Sequence, residues 1–201
     1  LKIIGLTGGS GAGKGEVCKA FLGFGIDSVD TDKISRDVTR KGGECLGELV
    51  MSFSGGILDK YGNLNRKKLA EIAFSSRENL DKLNFITHRH ILNDCKRIIL
   101  DMKNANRKAV IIDAPLLFES GFDKSCDVII SVISDSQKRI ERIVKRDGIT
   151  ETQAETRIKN QKTDEFFIAN SDYVIYNNSD YADIYIQVSG IYNNIFEKNT
   201  E

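Results

Sequence analysis

The sequence predicts an α/β fold: a five-stranded parallel sheet in a three-layer arrangement, with an inserted helical subdomain and a helical lid. Three observations carry this. Short, almost continuously apolar runs recur along the chain, as expected for strands covered on both faces. Longer stretches with helical spacing separate them, which implies right-handed crossovers. A glycine-rich segment follows the first apolar run directly, where parallel sheets bind ligands beyond the carboxyl ends of their strands.

Each element has its own signal. Lys2–Thr7 (KIIGLT) is the first strand. Residues 14–24 have helical spacing, with Val17, Ala20 and Phe21 on one side and Gly25 as the stop. Residues 26–30 form the second strand, Ala109–Asp113 (AVIID) the third, residues 127–133 the fourth and Tyr173–Tyr176 (YVIY) the fifth. Residues 33–107 break the alternation. They are mostly helical, with one turn-rich patch at 55–63, and Ser75, Ser76, Arg77 and Glu78 read as a capping box opening a long helix towards Met102. A second exception, charged and helical, breaks at Asp147 and Gly148. The chain thus divides into a core of 1–32, 107–136 and 164–201, an insertion of 33–106 and a lid of 137–163. The asparagine-rich 193–201 reads as a frayed tail.

Composition narrows the function classes. The chain has 201 residues, with 29 basic and 29 acidic side chains. That balance argues against a general nucleic-acid binder while leaving room for a local basic pocket. No apolar run approaches the roughly 18 residues that span a membrane. Cys18, Cys45, Cys95 and Cys126 have no metal or redox spacing and read as buried free thiols of a reducing cytoplasm.

The main chemical signal is Gly8-Gly9-Ser10-Gly11-Ala12-Gly13-Lys14, which fits G-x-x-x-x-G-K between a strand and a helix. Glycines let the backbone turn tightly and aim several N–H groups inward, and the following helix N-terminus adds its dipole. Lys14 places a positive charge on the outer phosphates. The motif normally ends in Ser or Thr, whose hydroxyl binds Mg²⁺. Here Gly15 and then Glu16 follow. Gly15 offers no side-chain oxygen, so water or another carboxylate must substitute. Glu16 suits the helix N-terminus, although its charge opposes phosphates if it points at them.

With these segments in view, the chain resembles the dephospho-coenzyme A kinase family along nearly its whole length. The resemblance rests on Gly5-Leu6-Thr7-Gly8-Gly9 with its loop, on Asp30-Thr31-Asp32, on Leu64-Asn65-Arg66-Lys67-Lys68-Leu69 and on Asp113-Ala114-Pro115-Leu116-Leu117-Phe118-Glu119. Arg146, Asp147, Arg157 and Gln161 resemble the family's lid, and Asp172 to Ile175 with Asn177 and Asn178 its closing strand and turn. The departures are Gly15 and Arg89, which follows His88 where the family commonly has proline.

The resemblance implies transfer of the ATP γ-phosphate to the ribose 3′-hydroxyl of dephospho-coenzyme A, with Mg²⁺. ATP would lie on Gly8, Gly9, Gly11, Ala12, Gly13, Lys14, Gly15 and Glu16, with Asn177 near the adenine or ribose. Asp32 would orient and deprotonate the acceptor hydroxyl, while Asp30 assists or caps a turn. Arg66, His88, Pro115, Leu116 and Glu119 would line the acceptor side, with His88 equally readable as a hydrogen-bonded helix residue. Asp113, ending the third strand, is the candidate metal-orienting carboxylate. Arg139, Arg142 and Arg146 share one helix face, either a solvated surface or a lid closing over phosphates; Arg142 and Arg146 are the catalytic candidates. The competing readings are another small-molecule kinase of the nucleoside or nucleotide type and an ATP binder impaired by Gly15. The expected partners are small molecules, with no nucleic acid, no membrane and a monomer or weak oligomer.

Overall fold

The structure, a computed structural model, describes residues 1–197. Five strands form one sheet: β1 (Lys2–Thr7), β2 (Asp27–Asp30), β3 (Ala109–Asp113), β4 (Val128–Ile133) and β5 (Tyr173–Tyr176), in the order β2-β3-β1-β4-β5. β1 lies parallel to both β3 and β4, with Leu6 opposite Asp113 on one side and Ile130 on the other, and β4 lies parallel to β5. The chain forms two compact units, one of Leu1–Val29 with the chain from Ala105 onward, the other of Asp30–Asn104.

In the first unit, side chains alternate across the sheet. Ile4, Leu6, Ile111, Ile130, Val132 and Ile175 share one apolar cluster with Val17, Ala20 and Phe21 of α1 (Lys14–Leu22) and with Ile184, Val188, Ile191 and Ile195 of α9 (Tyr181–Phe196). Truncating the fully buried Phe21 to alanine would cost about 3–5 kcal/mol. Gly5 and Ser131 point to the opposite face. There a Cβ on Gly5 would lie 2.9 Å from Leu117 Cδ2, and Ser131 Oγ sits 2.5 Å from Ser171 Oγ, just past α8 (Asp164–Ala169). Helices on both faces give the expected three layers.

Strand ends are fixed by carboxylates rather than by apolar runs. Asp127 Oδ2 accepts the Ile3 N–H at 2.7 Å, and Asp172 Oδ2 accepts the Ile129 N–H at 2.7 Å. Asp127 is thereby taken up by β1, so β4 begins one residue later than the sequence suggests. Ile26 belongs to the turn that closes α1, its N–H bonded to Phe21 O at 3.1 Å, so β2 begins at Asp27. The tail expectation needs correcting: residues 193–196 are helical and Ile195 is buried, because α9 carries its apolar stripe to the end. The rest of that reading, 198–201, lies outside the described residues.

Still in the first unit, α6 (Ser136–Asp147) and α7 (Glu151–Lys159) form a small hairpin, held by Ile140, Ile143 and Ala154. Gly148 supplies the left-handed turn between them at φ 66°, and Thr150 with Gln153 makes a capping box at the start of α7.

The second unit packs α2 (Thr31–Val38), α3 (Glu44–Phe53), α4 (Arg66–Ala73) and α5 (Arg77–Asn104) around Cys45, Leu49, Phe53, Ile57, Leu69 and Ile86. Its turn-rich patch is a 3₁₀ turn at Gly55–Ile57 followed by a loop in which Asp59 Oδ1 accepts from the Tyr61 and Asn63 N–H groups, at 2.8 and 2.9 Å. The cap of α5 lies one residue beyond the expected box. Ser76 Oγ accepts the Asn79 N–H at 3.2 Å, while Ser75 Oγ donates to Ile72 O at 2.7 Å.

Candidate active site

After β1 the chain goes outward to β2, and after β4 it goes the other way to β5. The crevice between β1 and β4 is therefore the topological switch point, where open α/β sheets hold their ligands. The loop from Gly8 to Gly13 opens there and enters α1 at Lys14. The first N–H groups of a helix have no intrahelical partner and carry the positive end of its dipole, so the turn is electrostatically ready for phosphate.

The glycines also admit side chains that hold the loop from behind. A Cβ on Gly13 would stand 2.0 Å from Asn177 Nδ2, and one on Gly9 would stand 2.1 Å from Arg139 Nη2. Asn177, just beyond β5 and 3% exposed, donates to Ala12 O at 2.8 Å. Arg142 of α6 donates through Nη1 to Gly11 O at 3.1 Å, Ala12 O at 3.4 Å and Ser134 Oγ at 3.0 Å. Its Nη2 donates to Asn177 O at 3.1 Å and Asn177 Oδ1 at 3.2 Å. Arg142 and Asn177 therefore address the loop's carbonyls and brace it from that side. Arg139, on the same helix, is 4% exposed and bonds to Ser10 O at 2.9 Å. Burial lowers its pKa, and the Asp164 carboxylate opposes that shift.

Arg146 turns elsewhere. Its guanidinium grips Asp147 at 2.7 and 3.0 Å, and Arg157 of α7 bonds to the same carboxylate. These two cations hold the Asp147 carboxyl well below the usual range. The three arginines expected on one face thus fulfil two tasks: Arg139 and Arg142 brace the loop, and Arg146 joins the tip of the hairpin.

At the carboxyl ends of β1 and β3, Lys14 Nζ stands 3.9 Å from Asp113 Oδ1. Cys18 Sγ lies 3.9 Å from Asp113 Oδ2, and burial, then the nearby carboxylate, pushes its thiol up to about 12. Thr7 Oγ1 is buried with no hydrogen-bond partner among the described residues. Whether these groups suit a magnesium ion depends on donor chemistry. No cluster of three His, Cys, Asp or Glu side chains among the described residues could hold a metal, and Gly15 has no side-chain oxygen. Mg²⁺ commonly keeps several waters and takes one or two carboxylates plus substrate phosphates. Asp113 beside the phosphate loop fits that sparse donor set.

The loop after β3 splits its side chains. Leu117 is fully buried, whereas Leu116 is 54% exposed and Glu119 is exposed; Pro115 opens the turn. Phe118 meets Phe166 of α8 edge-on, with ring centroids 5.2 Å apart. In the second unit, Asp30 caps α2: its Oδ1 accepts the N–H groups of Asp32 and Lys33 at 2.8 and 3.0 Å. That leaves the Asp32 carboxylate exposed in the first turn of α2. Arg66 opens α4 and donates to Thr39 Oγ1 at 2.8 Å. His88 is half-buried on α5, and neighbouring Arg89 pairs with Glu48, which His90 Nε2 also reaches at 3.1 Å.

The family model for CoaE, dephospho-CoA kinase, matches residues 2–183, covering the loop, α6 and α7 and the whole second unit. The chain belongs to the dephospho-CoA kinase family. A dephospho-CoA kinase of Fusobacterium nucleatum subsp. nucleatum is 43% identical over 188 residues, spanning 94% of this chain and 95% of that one. The solved structure of TT1252 from Thermus thermophilus shares the fold with a TM-score of 0.79 at 22% identity, covering 100% of this chain and 98% of that one. The dephospho-CoA kinase from Campylobacter jejuni shares it with a TM-score of 0.70 at 24% identity, covering 98% of each chain.

The sequence alone did not single out Ser134, which accepts from Arg142 Nη1, or Asp164, which pairs with Arg139. Each is a polar residue at a boundary, Ser134 just past β4 and Asp164 opening α8. That placement was their only available signal.

Proposed function

We propose that this protein transfers the γ-phosphoryl group of ATP to the ribose 3′-hydroxyl of dephospho-coenzyme A, giving coenzyme A and ADP. The observation that carries the reading is the glycine loop braced at the β1–β4 switch point of a chain whose dephospho-CoA kinase match runs from residue 2 to residue 183. The phosphates of ATP lie against Gly8, Gly9, Gly11, Ala12, Gly13, Gly15 and the first turn of α1. Glu16 bonds to Lys19 at 2.8 Å, which draws its charge along the helix and away from that cradle.

Phosphoryl transfer is largely positioning and charge stabilisation. Lys14 compensates the negative charge that spreads over the transferred group. Asp32 orients the acceptor hydroxyl and takes its proton as the new P–O bond forms and the bond to ADP breaks. Asp113 would hold Mg²⁺, which supplies charge neutralisation between the outer phosphates when bound. Arg142 and Asn177 keep the cradle in shape, and Arg146, held here by Asp147, would have to leave that carboxylate to serve the phosphates. Arg66, His88, Pro115, Leu116 and Glu119 serve the acceptor. Free thiols and a small-molecule substrate pair suit the cytoplasm, and no helix among the described residues is long and apolar enough to cross a membrane.

One observation favours a second reading, an ATP binder with weak turnover: Gly15 stands where the loop motif supplies a hydroxyl. The Asp32→Asn variant tests the first reading. It keeps the size of the side chain and removes the base, so kcat should fall by roughly 10²–10⁴ while ATP affinity stays near normal. Wild-type turnover in that variant would remove Asp32 from the mechanism.

A further inference from the structure

All three polar atoms of Ser10, at the outer turn of the phosphate loop, are held by side chains from the far end of the sequence. The Ser10 N–H donates to Gln161 Oε1 at 2.9 Å, Gln161 Nε2 donates to Ser10 Oγ at 3.1 Å, and Arg139 Nε donates to Ser10 O at 2.9 Å. The two holders are themselves joined, Arg139 Nη2 to Gln161 Oε1 at 3.3 Å, and Arg139 Nη1 pairs with Asp164 Oδ1 at 3.2 Å. Arg139 is 4% exposed. A guanidinium this buried is tolerated only when its fork is satisfied, and here each of the three nitrogens has an acceptor. Gly9 leaves the space that the guanidinium fills, and a Cβ on Gly11 would stand 2.6 Å from the Arg139 carbonyl oxygen, so loop and helix are fitted to one another.

We propose that Arg139, with Gln161, is a positioning residue for the phosphate loop. It sets the direction of the N–H groups after Ser10 and couples them, through Asp164, to the start of α8. Arg139 reaches no phosphate; it acts through Ser10. α8 in turn carries Phe166 and Phe167, which meet Phe118 in the loop after β3. One contiguous set of contacts thus runs from the loop beyond β1, through Arg139 and α8, to the loop beyond β3. This rests on the reading of the glycine loop as the site of ATP.

The test compares Arg139→Lys, Arg139→Met, Gln161→Ala and the Met/Ala double variant. Calorimetry reports ATP affinity without acceptor, steady-state kinetics with dephospho-coenzyme A report kcat and KM for ATP, and thermal melting reports folding. Misplacing the loop by a fraction of an ångström should lower kcat/KM for ATP by roughly ten- to a hundred-fold in Arg139→Met. Arg139→Lys keeps the charge but lacks the fork, and should fall between. The double variant should lose less than the product of the single losses, since both residues act on Ser10. A lowered melting temperature with unchanged ATP affinity and kinetics would overturn the proposal, as would losses that simply multiply. Should Arg139→Met fail to fold, unaltered ATP affinity in Gln161→Ala and Arg139→Lys overturns it equally. Failure of the wild type to phosphorylate dephospho-coenzyme A would refute the acceptor assignment alone, and the calorimetric comparison would still decide the role of Arg139.

Discussion

Replacing Gly15 by serine or by alanine separates two effects that the wild-type chain combines. Gly15 is the second residue of α1, and a Cβ built there meets nothing within 4 Å. Its φ lies outside the left-handed region, since glycines in that region are Gly8, Gly11, Gly13, Gly25, Gly42, Gly62, Gly121 and Gly148. Either side chain therefore fits without strain. Glycine inside a helix costs about 1 kcal/mol relative to alanine and roughly half that relative to serine. For a chain of this size, about 1 kcal/mol moves Tm by roughly 2–4 °C. Gly15→Ala should thus melt about 2–4 °C higher and Gly15→Ser about 1–2 °C higher. Only serine adds a hydroxyl to the metal's surroundings. An added polar contact contributes about 0.5–1.5 kcal/mol, which is roughly two- to twelve-fold in affinity. The assay is kcat/KM at fixed ATP over a Mg²⁺ titration, beside thermal melts of all three proteins. Gly15→Ser should move the Mg²⁺ midpoint down by that factor while Gly15→Ala leaves it in place. Equal midpoints in the two variants would refute the reasoning about the hydroxyl, and lower melting in both would refute the reading of open space.

Two further outcomes follow from the geometry. Arg142→Met leaves Gly11 O, Ala12 O and Asn177 without their cationic donor; each charge-assisted bond is worth about 1.5–3 kcal/mol, so kcat/KM for ATP should fall roughly ten- to a hundred-fold, and kinetics within two-fold of wild type would contradict the bracing role. Burial pushes the Cys18 and Cys126 thiols up to about 12 and those of Cys45 and Cys95 up to about 11. Because the folded state holds these protons longer than the unfolded chain, their contribution to stability is complete below about pH 8.5 and is lost as pH rises towards 11–12. The urea midpoint should therefore drop across that alkaline window, and iodoacetamide should label the native protein slowly at pH 8; rapid native labelling would show the thiols to be accessible.

The glycine loop and the strands were legible because each depends on local chemistry. Continuous apolar runs such as AVIID and YVIY predict strands buried on both faces, and they fall within the residue ranges observed. Strand starts are less legible: Asp127 directly precedes an apolar run and Ile26 extends one, but Asp127 is claimed by β1, far away in sequence, and Ile26 by the turn after α1. Asparagines mask the spacing of Ile191 and Ile195, which places both on the core face of α9, so the end of that helix reads as a tail. On α6, helical spacing put Arg139, Arg142 and Arg146 on one face, but spacing cannot say what that face meets. Two of them meet backbone carbonyls of the loop, more than 125 residues away in the chain, and the third meets its own neighbour Asp147. Ser134 and Asp164 were not singled out because a single polar residue at a strand or helix boundary looks like an ordinary cap until its partner is known.

The measurement closest to the central claim is ADP release from ATP and Mg²⁺ with dephospho-coenzyme A, with AMP and with adenosine as acceptors, followed by location of the phosphate on the product. The account predicts release that depends on dephospho-coenzyme A and a product phosphorylated at the ribose 3′-oxygen. Preferential phosphorylation of AMP or adenosine, or ATP binding with no turnover on any of the three, would contradict it.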